Sequence, residues 1–304
     1  MNRPLVIANA PLSSWLTDGL SARYDLRPAS DPGANEAQVL VTTGIHGADA
    51  AAMDALPALK LIAVHGVGYD KVDMAHARSR GISVTNTPDV LTDDVADMAV
   101  ALVLATARRI AESDAYVRAG RWGRDPLPPL GRKVTGARFG ILGLGRIGSA
   151  IARRLEPFSP HIAYHSRNRV EGSAYAYAET AEALAEQCDF LIVATSGGQG
   201  TQHLVDAAVL AALGPEGILI NIGRGSTVDE AALVDALVNG RLGGAGLDVF
   251  DDEPRVPDSL LALDNVVLQP HQGSATVETR RAMADLVIAN VDAFFGGKEL
   301  PTPV

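Results

Sequence analysis

Residues 140–155 read GILGLGRIGSAIARRL, and three glycines in this stretch stand in the spacing G-x-G-x-x-G. Gly143 suits a tight turn, Gly145 lets the backbone approach a bound group closely, and Gly148 lets a helix pack against a strand. In a chain with 30 glycines the spacing alone carries little weight. Its surroundings supply the rest. RFGIL before it has the apolar run of a buried strand, and RIGSAIARRL after it has the pattern of an amphipathic helix. A strand, a glycine turn and a helix whose first N–H groups point at an anion are the pyrophosphate cradle of a Rossmann-type domain.

The same alternation extends in both directions. LVIANA, QVLVTT, KLIAVHG and ISVTNT read as buried strands on the N-terminal side, with SSWLTDGLSARY and DMAHARSRG as helices between them. Beyond the glycine turn the strands are HIAYHS, DFLIVATS, GILINIG, GGAGLDVF and NVVLQPH. Long helices are expected over TDDVADMAVALVLATARRIAESDAYVRAG, with Thr92 as N-cap, and over ATVETRRAMADLVIANVDAFFGG, ending at Gly296-Gly297. Between them GRWGRDPLPPLGRKVTG reads as a loop. The fold expected is α/β: two doubly wound parallel-sheet domains, with a Rossmann cofactor domain inserted into a flavodoxin-like substrate domain. The boundaries are placed inside the two long helices, giving 1–98 with 275–304 as the substrate domain and 99–274 as the Rossmann cofactor domain.

The second strand of the inserted domain ends in YHSRNR, Tyr164 to Arg169. Roughly 20 residues beyond the glycine turn, dinucleotide-binding domains place an acid that accepts from the ribose 2′-hydroxyl. Here Ser166 removes the repulsion an acid would exert on a 2′-phosphate, and Arg167 supplies a charge-assisted donor worth about 1.5–3 kcal/mol. With Asn168 and Arg169 beside them, these residues favour NADP(H) over NAD(H).

Composition narrows the function. The 304 residues are 47% hydrophobic and 20% charged, as in a folded globular chain. A net charge of -10 argues against a nucleic-acid partner. The most apolar stretch, MAVALVLATA, is too short to span a bilayer, and MNRPLVIANAPLSSWL has no signal-peptide core. The single cysteine, Cys188, forms no internal disulfide and no cysteine metal cluster. The expectation is a cytoplasmic protein with no metal and no membrane contact.

Three polar residues follow buried strands in the second half: Arg224 in NIGRGSTVDE, Glu253 in LDVFDDEP and His271 in VVLQPHQGSAT. Ligands of open α/β sheets bind beyond the carboxyl ends of the strands, where all three can face one crevice. Their chemistry suits hydride transfer to a 2-oxo acid. Arg224 would hold the carboxylate and polarise the ketone. His271 would protonate the ketone oxygen, and Glu253 would orient the imidazole and favour its charged form. Each also has a plain structural reading, as a surface arginine, a solvated acid or a packed histidine.

The motifs HGVGYDKVD, GISVTNTPDVLTDDVAD, GLGRIGSAIARR, INIGRGSTVDE, GGAGLDVFDDEP and NVVLQPHQGSATVETR occur in order over nearly the whole chain. Together they closely resemble the D-isomer-specific 2-hydroxyacid dehydrogenases. Within that family the likeness is greatest to the glyoxylate/hydroxypyruvate reductases and the plant hydroxyphenylpyruvate reductases, carried by HSR, INIGRG and the HxGS form at His271. The resemblance implies that Arg224, Glu253 and His271 are catalytic. It implies that Leu144, Gly145, Arg146 and Ile147 meet the pyrophosphate, and that Ile222, Gly223 and Asp248 line the cofactor; Thr195 and Gly273 are expected to line it as well. It also implies that Val67 and Gly68 present N–H groups to the substrate carboxylate, that the catalytic site lies in an interdomain cleft, and that the protein is a homodimer through its cofactor domain. Two segments depart from the pattern. TSGGQGT, Thr195 to Thr201, replaces a proline-containing loop, and Pro126–Lys133 matches nothing in it. Trp122 nearby would pack locally or reach a partner's site.

The leading expectation is NADPH-dependent reduction of small 2-oxo acids, glyoxylate and hydroxypyruvate first. Two alternatives stay open, a reductase of phenylpyruvate-type acids and a dinucleotide-sensing binding protein without turnover; against a third, an NAD-linked dehydrogenase of phosphoglycerate type, stand Ser166 and Arg167.

Overall fold

The apolar runs become parallel strands in the computed structural model, which describes residues 3–304. The chain divides into two compact units, residues 1–91 with 274–304 and residues 92–273. The division falls before each long helix and not inside it, so the boundaries move from 98/99 to 91/92 and from 274/275 to 273/274. The first turns of both helices carry polar residues, and each helix makes its main packing contacts with elements of its own unit.

The first unit holds β1 (Leu5–Ala8), α1 (Ser14–Ser21), β2 (Asp25–Pro28), β3 (Val39–Thr43), α2 (Ala50–Asp54), β4 (Leu61–His65), α3 (Met74–Ser79) and β5 (Ser83–Thr85). Its sheet runs β2-β1-β3-β4-β5, all parallel. This is the flavodoxin-like order. One face is covered by Met53, Leu56, Leu59 and their neighbours, the other by α1 and the last helix of the chain.

The second unit begins with α4 (Thr92–Ala107) and α5 (Ile110–Arg118). The sequence reads as one helix there, but Arg109 sits in the left-handed region at φ 51° and breaks it, held by an ion pair with Glu112. Thr92 is the first residue of α4 and not its cap. After the long loop come β6 (Phe139–Leu142), α6 (Arg146–Leu155), β7 (Ile162–His165), β8 (Ala176–Tyr177), α7 (Ala181–Ala185), β9 (Phe190–Val193), α8 (Ala207–Leu213), β10 (Ile218–Asn221), α9 (Glu230–Val238), β11 (Gly244–Leu247), α10 (Asp258–Leu261) and β12 (Val266–Leu268). The sheet order β12-β11-β10-β9-β6-β7-β8 is parallel throughout, with its switch point at β6 and β9. Its central strands are buried on both faces, as a doubly wound sheet requires. The chain returns to the first unit in α11 (Val277–Phe295), capped by Thr276 and closed at Gly296. No helix among the described residues is long and apolar enough to cross a membrane.

Candidate active site

Each candidate residue of the second unit sits just beyond the carboxyl end of a strand. The β6–α6 turn carries the glycine motif. Gly143 has φ +94°, and a Cβ there would come within 2.9 Å of Thr195 Cγ2. A Cβ on Gly148 would lie 2.0 Å from the Gly143 carbonyl oxygen, so only glycine lets α6 start this close to β6. The N-cap of α6, Gly145, has no side chain, so the cap itself supplies no acceptor to the first turn, the place where a helix end receives an anion. Thr195, from the loop after β9, carries a buried Oγ1 with no hydrogen-bond partner among the described residues. A dinucleotide fits this cradle: the glycines clear its path, the helix end supplies donors, and Thr195 offers a free hydroxyl.

At the end of β7, Ser166 Oγ accepts from Leu144 N–H at 2.8 Å. The serine therefore braces the glycine turn. Arg167 and Asn168 are exposed. Arg169 lies over the Tyr177 ring at 5.8 Å, and the Tyr177 hydroxyl donates to the Ser166 carbonyl at 3.3 Å.

His271, Glu253 and Asp248 form one network. His271 Nδ1 and Glu253 Oε2 are 2.8 Å apart, leaving Nε2 as the ring's other polar atom. Burial raises the Glu253 pKa, but the hydrogen bond and charge of His271 outweigh it, with Phe250 N–H at 3.1 Å and the Arg224 charge adding to them. The net direction is down, so Glu253 is a carboxylate at neutral pH. His271 itself has φ +53°. Its strained turn is held by Asp248, which is 2% exposed. The Asp248 carbonyl accepts from His271 N–H at 2.8 Å, and its carboxylate oxygens accept from Gln272 N–H at 2.7 Å and Gly273 N–H at 2.8 Å. Burial is the largest influence on Asp248 and moves its pKa upward. Sequence reasoning assigned Asp248 to a cofactor, whereas its geometry first of all fixes the His271 turn.

Arg224 is positioned by a residue the sequence reading missed. Asn221, buried at the end of β10, accepts from Gly223 N–H at 3.0 Å and donates to the Arg224 carbonyl at 3.0 Å. Ile222 and Gly223 are thereby held in a fixed turn, and Arg224 stands half-buried in extended backbone.

Within the first unit, Val67 and Gly68 follow β4. Asn86 Nδ2 donates to the Val67 carbonyl at 2.8 Å, and Thr87 N–H donates to Gly66 O at 2.9 Å. His65, the last residue of β4, was also missed. It is buried, and its Nε2 has no hydrogen-bond partner among the described residues. Burial, aided by the Arg280 charge and opposed by a backbone hydrogen bond to Arg280, lowers its pKa to about 4.

This shift has a consequence for stability. The unfolded chain takes up a proton on His65 near its ordinary value of about 6.5. The folded chain resists until about 4. The contribution of neutral His65 is therefore whole above about pH 6.5 and declines as pH falls toward 4, by about 2–3 kcal/mol at pH 4.5. Urea unfolding at pH 7 and pH 4.5 should show wild type losing more stability than His65→Phe by that amount. Equal losses in both proteins would exclude the histidine as the cause.

The fold and these sites define a two-unit, nucleotide-binding α/β oxidoreductase architecture. Residues 100–273 match the family model of the D-isomer specific 2-hydroxyacid dehydrogenase NAD binding domain. The chain is 49% identical to hydroxyphenylpyruvate reductase of Plectranthus scutellarioides over 98% of each protein. It is equally similar, again over 98% of each, to glyoxylate/hydroxypyruvate reductase A of Arabidopsis thaliana. Among solved structures, the NADPH-dependent glyoxylate/hydroxypyruvate reductase of Sinorhizobium meliloti, in complex with NADP and malonate, superposes with a TM-score of 0.94 at 46% identity. That match covers 100% of this chain and 97% of the other. The chain belongs to the D-isomer-specific 2-hydroxyacid dehydrogenase family.

Proposed function

We propose that this protein is an NADPH-dependent reductase of small 2-oxo acids, with glyoxylate and hydroxypyruvate as its first substrates and D-2-hydroxy acids as products. The observation that carries the reading is the His271–Glu253 pair at 2.8 Å, at the strand ends of the sheet that also presents the glycine turn. A bound dihydronicotinamide supplies the hydride. His271 Nε2 donates a proton to the ketone oxygen as the carbonyl carbon is reduced. Glu253 holds Nδ1 and balances the imidazolium charge. Arg224 polarises the carbonyl and pairs with the substrate carboxylate. The N–H groups of Val67 and Gly68 are assigned to the same carboxylate, a role for which Asn86 and Thr87 hold their loop.

The cofactor preference rests on Ser166, Arg167 and Asn168, with Gly143 to Gly148, Thr195, Ile222, Gly223, Asp248 and Gly273 lining the rest. The homodimer reading rests on apolar surface in the cofactor unit: Trp122 is 72% exposed and Leu130 96%, with Ile110, Val117 and Leu127 also open to solvent. A cytoplasmic location is in keeping with one buried, unpaired cysteine. A second reading, reduction of phenylpyruvate-type acids, is favoured by the similarity to a hydroxyphenylpyruvate reductase.

Initial rates with glyoxylate, hydroxypyruvate and phenylpyruvate, each with NADPH and NADH, test the proposal. Fast NADPH-linked turnover of glyoxylate or hydroxypyruvate supports it, and a preference for phenylpyruvate moves the assignment to the second reading. NADPH binding without turnover on any of the three would make the protein a sensor. The double variant Ser166→Asp/Arg167→Ala should shift the NADPH/NADH ratio of kcat/KM toward NADH by about tenfold to a hundredfold. A carboxylate at 166 can accept the same Leu144 N–H, so the glycine turn keeps its brace. An unchanged ratio would sink the 2′-phosphate assignment.

A further inference from the structure

A cavity of about 400 Å³ lies at the amino end of β6, the end of the sheet opposite the glycine turn. Its lining includes Leu104, Arg108, Arg132, Lys133, Thr135 and Phe158. Three of these side chains are cations, in a chain of net charge -10. Arg108 and Lys133 are exposed, and neither pairs with a carboxylate among the described residues. Arg132 is half-buried, and its Nη1 is buried without a hydrogen-bond partner. Its Nη2 reaches only Glu216 Oε2, at 3.4 Å, on a side chain 86% exposed. The nearby Asp189 is engaged by Arg138, with 2.7 Å to Nη2 and 2.8 Å to the backbone N–H.

The backbone builds this cluster deliberately close to α4. Arg132 N–H donates to the Ala107 carbonyl at 2.7 Å, and a Cβ on Gly131 would lie 2.7 Å from the same oxygen. One structural account is that the cations serve the negative end of the α4 dipole. That end is equivalent to about half an elementary charge. Three cations exceed it, and a guanidinium nitrogen removed from water without a partner is unfavourable. Like charges round one cavity also repel, and an anion among them relieves both conditions. The volume matches pockets that hold small organic ligands, and the planar fork of arginine suits a phosphoryl group.

We propose that this cavity binds a phosphate-bearing small anion, with the half-buried Arg132 as the anchor, Arg108 and Lys133 as outer charges and Thr135 as a hydroxyl donor. The assignment does not depend on the reaction proposed above. Inorganic pyrophosphate, titrated calorimetrically into protein held in excess NADP+ so that the glycine turn is engaged, is the probe. Amide shifts from labelled protein locate the binding. Binding should move the amides of residues 131–135, and Arg132→Gln should weaken it by about tenfold or more. Should Arg132→Gln fail to fold, the exposed pair Arg108→Gln/Lys133→Gln should weaken it comparably. Absence of binding, shifts confined to the glycine turn, or an affinity indifferent to both variants would overturn the proposal. So would sedimentation showing that pyrophosphate dissociates a dimer, because an acidic side chain of a second copy would then be the occupant.

Discussion

Replacing His271 with alanine is expected to lower kcat by about 10²- to 10⁴-fold, the range a positioned general acid supplies. NADPH affinity should change by far less. The separation follows from the geometry. The His271 side chain meets Glu253, whereas the turn that carries it is held through its backbone by Asp248. Gln272 and Gly273 keep their bonds to the Asp248 carboxylate when the imidazole is removed. Steady-state rates and fluorescence titration of NADPH measure the two quantities separately. Equal losses in both would mean that His271 is a structural residue and that the proton comes from elsewhere. Glu253→Gln is the graded companion: it keeps a hydrogen-bond acceptor near Nδ1 but removes the charge that balances the imidazolium. Its activity should fall between those of wild type and the alanine variant.

The two sheets were legible because buried parallel strands are continuous apolar runs between turn residues, and FGIL, FLIV and ILIN fall on β6, β9 and β10. The exceptions sit at sheet edges. Asp25–Pro28 is half-exposed, charged and ends in proline, and Ala176–Tyr177 is only two residues long, so neither has a pattern to read. The bend at Arg109 was hidden because no glycine or proline marks it. The glycine turn was legible because its spacing answers to local backbone geometry, which recurs wherever a strand, a pyrophosphate and a helix meet. Asn221 and His65 were not, for the opposite reason. What Asn221 does depends on where the carbonyl of Arg224 comes to lie, and what His65 does depends on its burial against Arg280. A lone asparagine or histidine after a strand carries no sign of either. The same holds for Arg132, whose segment matched no pattern and whose charge matters only beside Arg108.

Gly225 extends that argument to the strongest structural prediction. A Cβ on this residue would stand 1.9 Å from the Phe250 carbonyl carbon, 2.0 Å from its oxygen and 2.3 Å from Asp251 N. All three are backbone atoms, so no side-chain rotation relieves the contact. Gly225→Ala must therefore push apart the turn that carries Arg224 and the turn in which Glu253 accepts from Phe250 N–H. Overpacking of this kind costs about 1–3 kcal/mol, and more where the backbone has to move. Displacing catalytic groups by about 1 Å can cost about a hundredfold in rate. The expected result is a variant that folds with reduced thermal stability and loses kcat/KM by about a hundredfold, while affinity for the proposed cofactor, whose glycine cradle lies at the end of β6, falls less. Ser226→Ala, one residue on, serves as the control and should leave both properties close to wild type. Thermal unfolding by circular dichroism and steady-state kinetics on the two variants decide the matter. A Gly225→Ala protein with full activity would show that the Arg224 and Glu253 turns relax independently, and the close packing between them would then have no part in holding the candidate active site together.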